Sequence, residues 1–250
     1  MSPAGRDSYL APSSSRSGWT LPIPTLELLY QWTSVPDERF VIRGVDWAFY
    51  EQLVDSIPEG ANIHVDFDGK DLEIMSLSPI HNVVKKTLSR LVELTAEELE
   101  IPCIGLGQTT WKRPEVVRGL EADDCFYFAP EKLAVADEAI VRWSKDVADY
   151  PNPDLAIEVD VSPSKIDRRA IYAALSVAEV WRFDGERKRI VIEGLSSDGT
   201  YHSVGKSEFL PVRSEEVERW VLEEDRRAGS AWAQRLRAWV SAELAPRLPR

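Results

Sequence analysis

The chain has few of the residues that build disulfide scaffolds or zinc sites. It contains two cysteines, Cys103 and Cys125, and three histidines in 250 residues. Two cysteines without metal-ligand spacing predict free thiols in a reducing compartment, so we expect a cytoplasmic protein. No apolar run approaches the ~20 residues that cross a bilayer, and we expect no membrane partner.

Positive charge is also scarce. There are 30 Lys and Arg residues against 42 Asp and Glu residues, which gives a net charge of −12. Phosphate binding depends on Lys and Arg displacing counterions, so any contact with nucleic acid must be local. The sequence also lacks a glycine-rich phosphate loop and a serine in a nucleophile elbow, which disfavours nucleotide-dependent chemistry and acyl transfer.

The length and the apolar content of 44% favour one large domain. Residues 1–18 are rich in Ser and Pro and lack the apolar centre of a secretory signal, so we expect a disordered tail. Residues 19–212 form the predicted main domain. Residues 213–250 form a predicted helical extension, with Ser214 as N-cap and a break near 229–230.

Hydrophobic periodicity predicts the order of the elements. The Asp68-Gly69 turn indicates a hairpin, and Ser78 followed by Pro79 indicates the start of a long helix. Acidic, weakly patterned residues 130–152 predict a loop or insertion. The expected elements are a helix over 45–57, strands near 62–67 and 71–76, a helix from 79, short strands on both sides of a Gly- and Arg-containing connection, and a strand, helix, strand and strand over 154–195.

The segment "PDLAIEVDVSPSK" places acids at even spacing in one predicted strand. Asp154, Glu158 and Asp160 share one face, whereas the other face is entirely Leu, Ile and Val. An apolar face and a following helix favour a central strand, where carboxylates need a partner. Because like charges repel and hard oxygen ligands suit Mg²⁺ or Mn²⁺, the row predicts a divalent metal site.

Three stretches carry a family resemblance: "DGKDLEIMSLSPIHNVVKKTLSRL", "GLEADDCFYF" and "PDLAIEVDVSPSKIDRRAIYAALSVAEVWRFD". Over about residues 45–211 the chain resembles the Uma-type restriction-endonuclease family, a bacterial group within the PD-(D/E)xK nuclease superfamily. The resemblance implies an α/β (α+β) fold with a restriction-endonuclease-like mixed central sheet flanked by helices. It also implies a Mg-dependent endonuclease acting on nucleic acid, most readily DNA, and we expect a homodimer.

The resemblance also implies site residues. Asp123 and Glu158 match the family's metal-binding acids, and Asp160 is a third candidate ligand. Asp160 stands where nucleases of this superfamily usually carry a Lys. In some relatives the next helix carries that Lys, and the matching position here is Arg168, with Lys165 as the alternative cation. Arg can neutralise phosphate charge but cannot lose its proton.

Five further polar residues have weaker support. Asp124 becomes the ligand if the strand register slips by one residue. Asp154 suits a structural role at the strand entrance. His81 aligns with a histidine common in the family, Glu73 is expected at an exposed strand position, and Gln108 could contact the site.

Two alternatives to an endonuclease remain open. One is a catalytically weak or inactive nuclease-fold protein that binds or assembles, and the other is a metal-dependent hydrolase of another phosphoester. The cations of "DGERKRI" predict a solvated hairpin tip, with a turn that faces phosphate as the alternative.

Overall fold

The structure is a computed structural model that describes residues 22–224 and 229–248. The tail predicted over residues 1–18 lies outside the described residues. The α-helices are α1 Leu26–Trp32, α2 Trp47–Ser56, α3 Pro79–Glu98, α4 Pro130–Val141, α5 Arg168–Ala174, α6 Ser214–Leu222 and α7 Gly229–Trp239. A π-helical turn follows at Val240–Leu244, and short 3₁₀ turns lie at Val147–Asp149 and Ala245–Arg247.

The β-strands form two sheets. They are β1 Phe40–Arg43, β2 His64–Phe67, β3 Asp71–Met75, β4 Ile104–Gly105, β5 Thr109–Arg113, β6 Arg118–Ala122, β7 Asp124–Tyr127, β8 Leu155–Asp160, β9 Glu179–Asp184, β10 Arg189–Leu195 and β11 Tyr201–Ser203. The first sheet has the order β1-β3-β2-β6-β5, and all its pairs are antiparallel. The second has the order β11-β10-β9-β8-β7-β4, in which only β8 and β9 run parallel.

The hairpin β2–β3 forms where the sequence predicts it. Gly69 has a φ of 93°, a left-handed conformation that glycine adopts without a steric penalty. Asp68 closes the turn because its Oδ1 accepts hydrogen bonds from Lys70 N and Asp71 N at 3.0 and 2.8 Å. The turn fixes the register in which Asp66 pairs with Glu73.

Helix α3 also begins as predicted. Ser78 is the N-cap and accepts a hydrogen bond from His81 N, and Pro79 opens the first turn. Its apolar stripe, including Leu88, Leu91 and Val92, packs in the core beneath β8 and β9. The helix start thereby brings His81 to one end of the sheet.

Strand β8 is central in the second sheet, as predicted. Leu155, Ile157 and Val159 belong to the core on the α3 side, whereas Ala156 belongs to a second core on the α5 side. The alternation of the two faces therefore follows the sequence pattern. Glu158 lies on the α5 side and is fully buried.

Three expectations were wrong. Residues 130–152 contain helix α4, whose pattern is weak because its fully buried residues are only two alanines, Ala136 and Ala139. The connection before Asp123 contains strand β6. Ser214 is the first residue of α6, and Arg213 is its N-cap.

Candidate active site

The site lies where the chain passes from one sheet to the other. Asp123 stands between β6 of the first sheet and β7 of the second. Its Oδ2 accepts a hydrogen bond from Val159 N at 2.7 Å and lies 3.2 Å from His81 Nε2. Burial alone would raise the pKa of Asp123, but His81 and the charge of Arg168 together lower the pKa below its usual value. Asp123 is therefore an anionic group held beside β8.

Glu158 is the most enclosed acid of the site. Arg168 Nη2 donates to its Oε1 at 2.8 Å, and Arg168 Nη1 lies 2.6 Å from its Oε2. The hydroxyl of Tyr172 also donates to Oε1. Arg168 and Tyr172 are four residues apart on α5 and thus project from one face of the helix. Burial raises the pKa of Glu158 well above its usual value, against the opposing charge of Arg168.

Arg168 joins several acids of the cluster. In addition to Glu158, its guanidinium lies 3.3 Å from Asp66 Oδ2 and 3.7 Å from Asp160 Oδ1. Both Arg168 and Asp66 are almost fully buried. Burial raises the pKa of Asp66 to about 6, although the charge of Arg168 opposes the increase. One guanidinium therefore lies within ion-pair distance of three carboxylates, those of Glu158, Asp66 and Asp160.

Asp160 is held by arginines at the end of β8. Its Oδ1 accepts from Arg39 Nη2 at 2.8 Å, and its Oδ2 accepts from Arg182 Nη1 at 2.7 Å. Burial would raise the pKa of Asp160, but Arg168, Arg182 and Arg39 together lower it. The carboxylate is therefore ionised and its two oxygens are engaged by guanidinium groups.

Lys165 lies apart from the acid pair. Its Nζ donates to the carbonyl oxygen of Arg39 at 2.8 Å, and its backbone N–H donates to Glu73 Oε2 at 2.6 Å. The expectation that Glu73 is exposed was wrong: the residue is 1% exposed and pairs with Arg39. The error arose because β3 is covered on both faces, the polar one by the loop after β8.

Asp124 and Asp154 make contacts elsewhere. Asp124 Oδ2 accepts from the hydroxyl of Ser89 on α3, on the opposite side of the sheet from Glu158. Asp154 Oδ2 accepts from the backbone N–H groups of Phe128 and Ala129, each at 2.8 Å. Asp154 thus anchors the chain at the start of α4.

A second polar group extends the cluster along β2 and β6. His64 Nδ1 lies 3.6 Å from Glu121 Oε1, and its Nε2 lies 3.1 Å from Gln108 Nε2. Lys85 donates to Gln108 Oε1 at 2.7 Å. Burial lowers the pKa of His64 to about 4, so this imidazole is neutral near pH 7. Gln108 therefore borders the cluster at its outer edge.

Sequence reasoning missed several residues of this cluster. Asp66 and His64 alternate with Val65 and Phe67 on β2, and that even spacing was the available signal. Arg39 carried no signal, because it reaches the site from a loop before β1. The contact of Arg39 with Asp160 spans 121 positions along the chain.

The donor set can be tested against a divalent metal. Asp123 and Glu158 offer carboxylate oxygens, which suit a hard cation, and Glu158 Oε2 makes no hydrogen bond of good geometry despite its ion pair. Among residues 22–224 and 229–248 there is no group of three or more His, Cys, Asp or Glu residues arranged to hold a metal. Mg²⁺ takes only one or two protein carboxylates and keeps several waters. By their donor chemistry, Asp123 and Glu158 fit the two acidic ligands of such a site.

The fold and the site define a class of protein. An acidic cluster lies where the chain passes between the two sheets, and helices flank the sheets, consistent with the restriction-endonuclease-like fold expected from the resemblance. The chain belongs to the Uma2 family, described as "Putative restriction endonuclease", whose model matches residues 47–223. No curated protein matches the chain. The described residues include no helix long and apolar enough to cross a membrane.

Proposed function

We propose that the protein is a divalent-metal-dependent endonuclease that hydrolyses phosphodiester bonds in DNA. The observation that carries the proposal is the meeting of Asp123, Glu158 and Arg168 in one buried cluster. These residues come from the junction of β6 and β7, from β8 and from α5, and they are the positions that the family pattern assigns to the acid pair and its cation. Family membership supports a nuclease, and the geometry supports this location for its chemistry.

Asp123 and Glu158 would hold the metal. When bound, Mg²⁺ or Mn²⁺ would lower the pKa of a coordinated water and neutralise charge on the phosphate. Asp160 serves a different role in this proposal, because two separate arginines, Arg39 and Arg182, hold its two oxygens and a metal would have to displace both. It would orient the arginines at the edge of the site.

The chain's own residues would manage charge and protons. Arg168 would stabilise negative charge that develops on the phosphate, since a guanidinium stays protonated and can donate two parallel hydrogen bonds. The hydroxyl of Tyr172 donates a hydrogen bond to Glu158 Oε1 and so fixes the orientation of that carboxylate. His81 and Arg168 together favour the anionic form of Asp123. Arg168 does not act as the general base, because its guanidinium stays protonated.

The direct test is cleavage of supercoiled plasmid, single-stranded DNA and RNA by the purified protein with Mg²⁺ or Mn²⁺. Asp123→Ala and Glu158→Ala are assayed beside the wild type, with circular dichroism as a check on folding. We expect metal-dependent nicking of the plasmid by the wild type and none by either variant. Cleavage that persists unchanged in both folded variants would reject the proposed site.

A second candidate is a weak or inactive nuclease-fold protein, and a specific observation favours it. Arg168 contacts both oxygens of Glu158, so that any metal ligation by Glu158 requires Arg168 to give up at least one contact. Arg168→Lys separates the two candidates, because Lys can be deprotonated and makes no bidentate contact. For an endonuclease limited by Arg168, we expect at least about tenfold faster nicking, as general base catalysis contributes ~10²–10⁴-fold. No nicking by either protein would favour the inactive scaffold.

Several finer statements stay predictions. They are the preference for DNA over RNA or another phosphoester, the choice between Mg²⁺ and Mn²⁺, and the homodimer. The substrate panel above tests the first, and parallel assays with each metal test the second. Light scattering of the purified protein tests the third.

A further inference from the structure

A pocket of about 350 Å³ opens beside the acid cluster. We call it the arginine pocket, because its lining includes four arginines: Arg168, Arg169, Arg182 and Arg187. Arg168 is shared with the acid cluster, where it contacts Glu158. The pocket therefore opens from the surface to Arg168, which contacts the candidate metal ligand Glu158.

The turn between β9 and β10 is fixed against this pocket. Gly185 N–H donates to the carbonyl oxygen of Asp160 at 2.8 Å. A Cβ at position 185 would lie 2.8 Å from Val161 Cα and 2.9 Å from Asp160 O, so only glycine permits this approach. The close packing places the basic turn "GERKR" at the end of β8, with Arg187 in the pocket lining.

Arg182 has a buried donor that lacks an acceptor. Its Nη1 donates to Asp160 at 2.7 Å and its Nε to Glu193 at 3.2 Å. Its Nη2 is buried and has no hydrogen-bond partner within the described part of the chain. Buried donors are almost always paired, so this nitrogen leaves Arg182 with an unused hydrogen bond beside the pocket that it lines.

The acids of the lining are mostly committed to internal contacts. Asp160 lies between Arg39 and Arg182, and Asp167 accepts a hydrogen bond from Ala170 N as the N-cap of α5. Asp184 accepts from Arg187 Nη1 at 2.7 Å. The Arg187 side chain is 75% exposed, and such surface ion pairs contribute little, so Arg187 can turn to an incoming anion at small cost.

We propose that the arginine pocket binds a backbone phosphate of the nucleic acid next to the bond to be cleaved. Arg182 and Arg187 would contact the phosphate oxygens, and Arg168 would connect this phosphate to the acid cluster. The inference rests on the proposed function for its substrate class. Its test is binding without cleavage, so that the two can fail separately.

The experiment measures binding of a fluorescein-labelled DNA duplex by anisotropy in EDTA at several salt concentrations. We expect Arg187→Ala to weaken binding about 3–10-fold and to lower the salt slope by about 1, for duplexes of any sequence. Glu186→Gln removes a negative charge from the same lining and should strengthen binding. Opposite effects at adjacent positions would not follow from a loss of structure.

Matched controls lie on α4 and at its C-cap, none of whose residues lines the pocket. Arg142→Ala removes an exposed arginine near an aspartate, as Arg187→Ala does, and Glu138→Gln removes an exposed acid. Both should leave affinity and salt slope unchanged. Equal affinity and slope for wild type and Arg187→Ala would overturn the proposal.

A parallel titration with inorganic phosphate distinguishes the source of the phosphate group. Nucleic-acid binding predicts that the duplex affinity responds to Arg187→Ala. If Arg187→Ala abolishes binding of inorganic phosphate but leaves the duplex affinity unchanged, the pocket takes free phosphate and the assignment to nucleic acid is wrong. Duplex binding that depends on Arg187 with no cleavage under any condition would retain the pocket and reject the endonuclease.

Discussion

Two buried glutamates on neighbouring strands belong to different regions of the molecule. Glu158 on β8 is 0% exposed and Glu179 on β9 is 1% exposed. Burial raises the pKa of both carboxyls. The partners of the two groups differ, and that difference separates a candidate site from a structural anchor.

Glu179 is surrounded by neutral donors. Its carboxylate accepts from Trp181 Nε1 at 2.5 Å, from the Ser207 hydroxyl at 2.6 Å and from Glu208 N at 2.7 Å. These contacts tie the segment after β11 to the sheet. Glu158 instead contacts Arg168 and has Asp123 and Asp160 as charged neighbours. Burial of an acid therefore does not identify a site, whereas a cluster of carboxylates around a shared arginine beside an opening makes a candidate site.

The largest expected effect separates the two glutamates in cleavage. Glu158→Gln removes a proposed metal ligand, and we expect the nicking rate to fall on the order of 10³-fold, as for the loss of a group that stabilises charge in the transition state. Glu179→Gln should nick plasmid at the wild-type rate. An equal loss of nicking rate in both variants would show that the substitutions act through protein stability rather than through the chemistry of cleavage.

The next effect is on folding. Arg168→Ala leaves Glu158 and Asp66 buried without their cation, and we expect unfolding free energy to fall by about 3–5 kcal/mol. Urea unfolding followed by tryptophan fluorescence measures it. Arg187→Ala removes an exposed guanidinium and is the control, with a change within about 0.5 kcal/mol. A loss below about 1 kcal/mol in Arg168→Ala would mean that the cluster is solvated.

The pH dependence of stability tests the acid cluster around Glu158 through its neighbour Asp66. The pKa of Asp66 is about 6 in the folded protein against a usual value of 3.8, so the folded state binds this proton more tightly. Its stabilising effect is complete below pH ~4 and is lost as the pH rises through ~6. The unfolding free energy of the wild type minus that of Asp66→Asn should therefore fall by about 2–3 kcal/mol between pH 4 and 7.

His64 acts in the opposite direction, because its pKa of about 4 in the folded protein lies below the usual 6.5. It therefore adds stability as the pH rises through the same window. Both proteins of the Asp66 comparison contain His64, so its contribution cancels in the difference. If the unfolding free energy of the wild type minus that of Asp66→Asn stays constant or rises with pH, the burial of an ionised Asp66 is contradicted.

The smallest effect tests the structural glutamate. Glu179→Gln replaces a carboxylate that accepts from three donors by an amide with one acceptor oxygen, and we expect a loss of about 1–2 kcal/mol. Chemical denaturation gives the value. A loss comparable to that of Arg168→Ala would mean that the two regions depend on charge to the same degree.

Local patterns predicted much of the fold. The Asp68-Gly69 turn, the Ser78-Pro79 helix start and the apolar face of β8 each depend on residues close in sequence, and each appears in the structure. Helix α4 was missed because its buried residues are two alanines, which give a weak periodic signal. Local rules succeed where local contacts determine the structure.

The site was less predictable because its neutralising contacts are distant in sequence. The family pattern pointed to Asp123, Glu158 and Arg168, and the structure brings these residues together. The pairing of Glu73 with Arg39 depends on two segments that meet only in the folded chain. The cost of burying each acid is decided by such partners, which sequence spacing does not reveal.

The most direct measurement is a calorimetric titration of Mn²⁺ into the wild type, Glu158→Gln and Glu179→Gln. We expect the wild type and Glu179→Gln to bind with an affinity of ~10–1000 μM, and Glu158→Gln to show no binding heat in that range. Identical binding in all three proteins, or no binding in any of them, would contradict the claim that Glu158 belongs to a metal site.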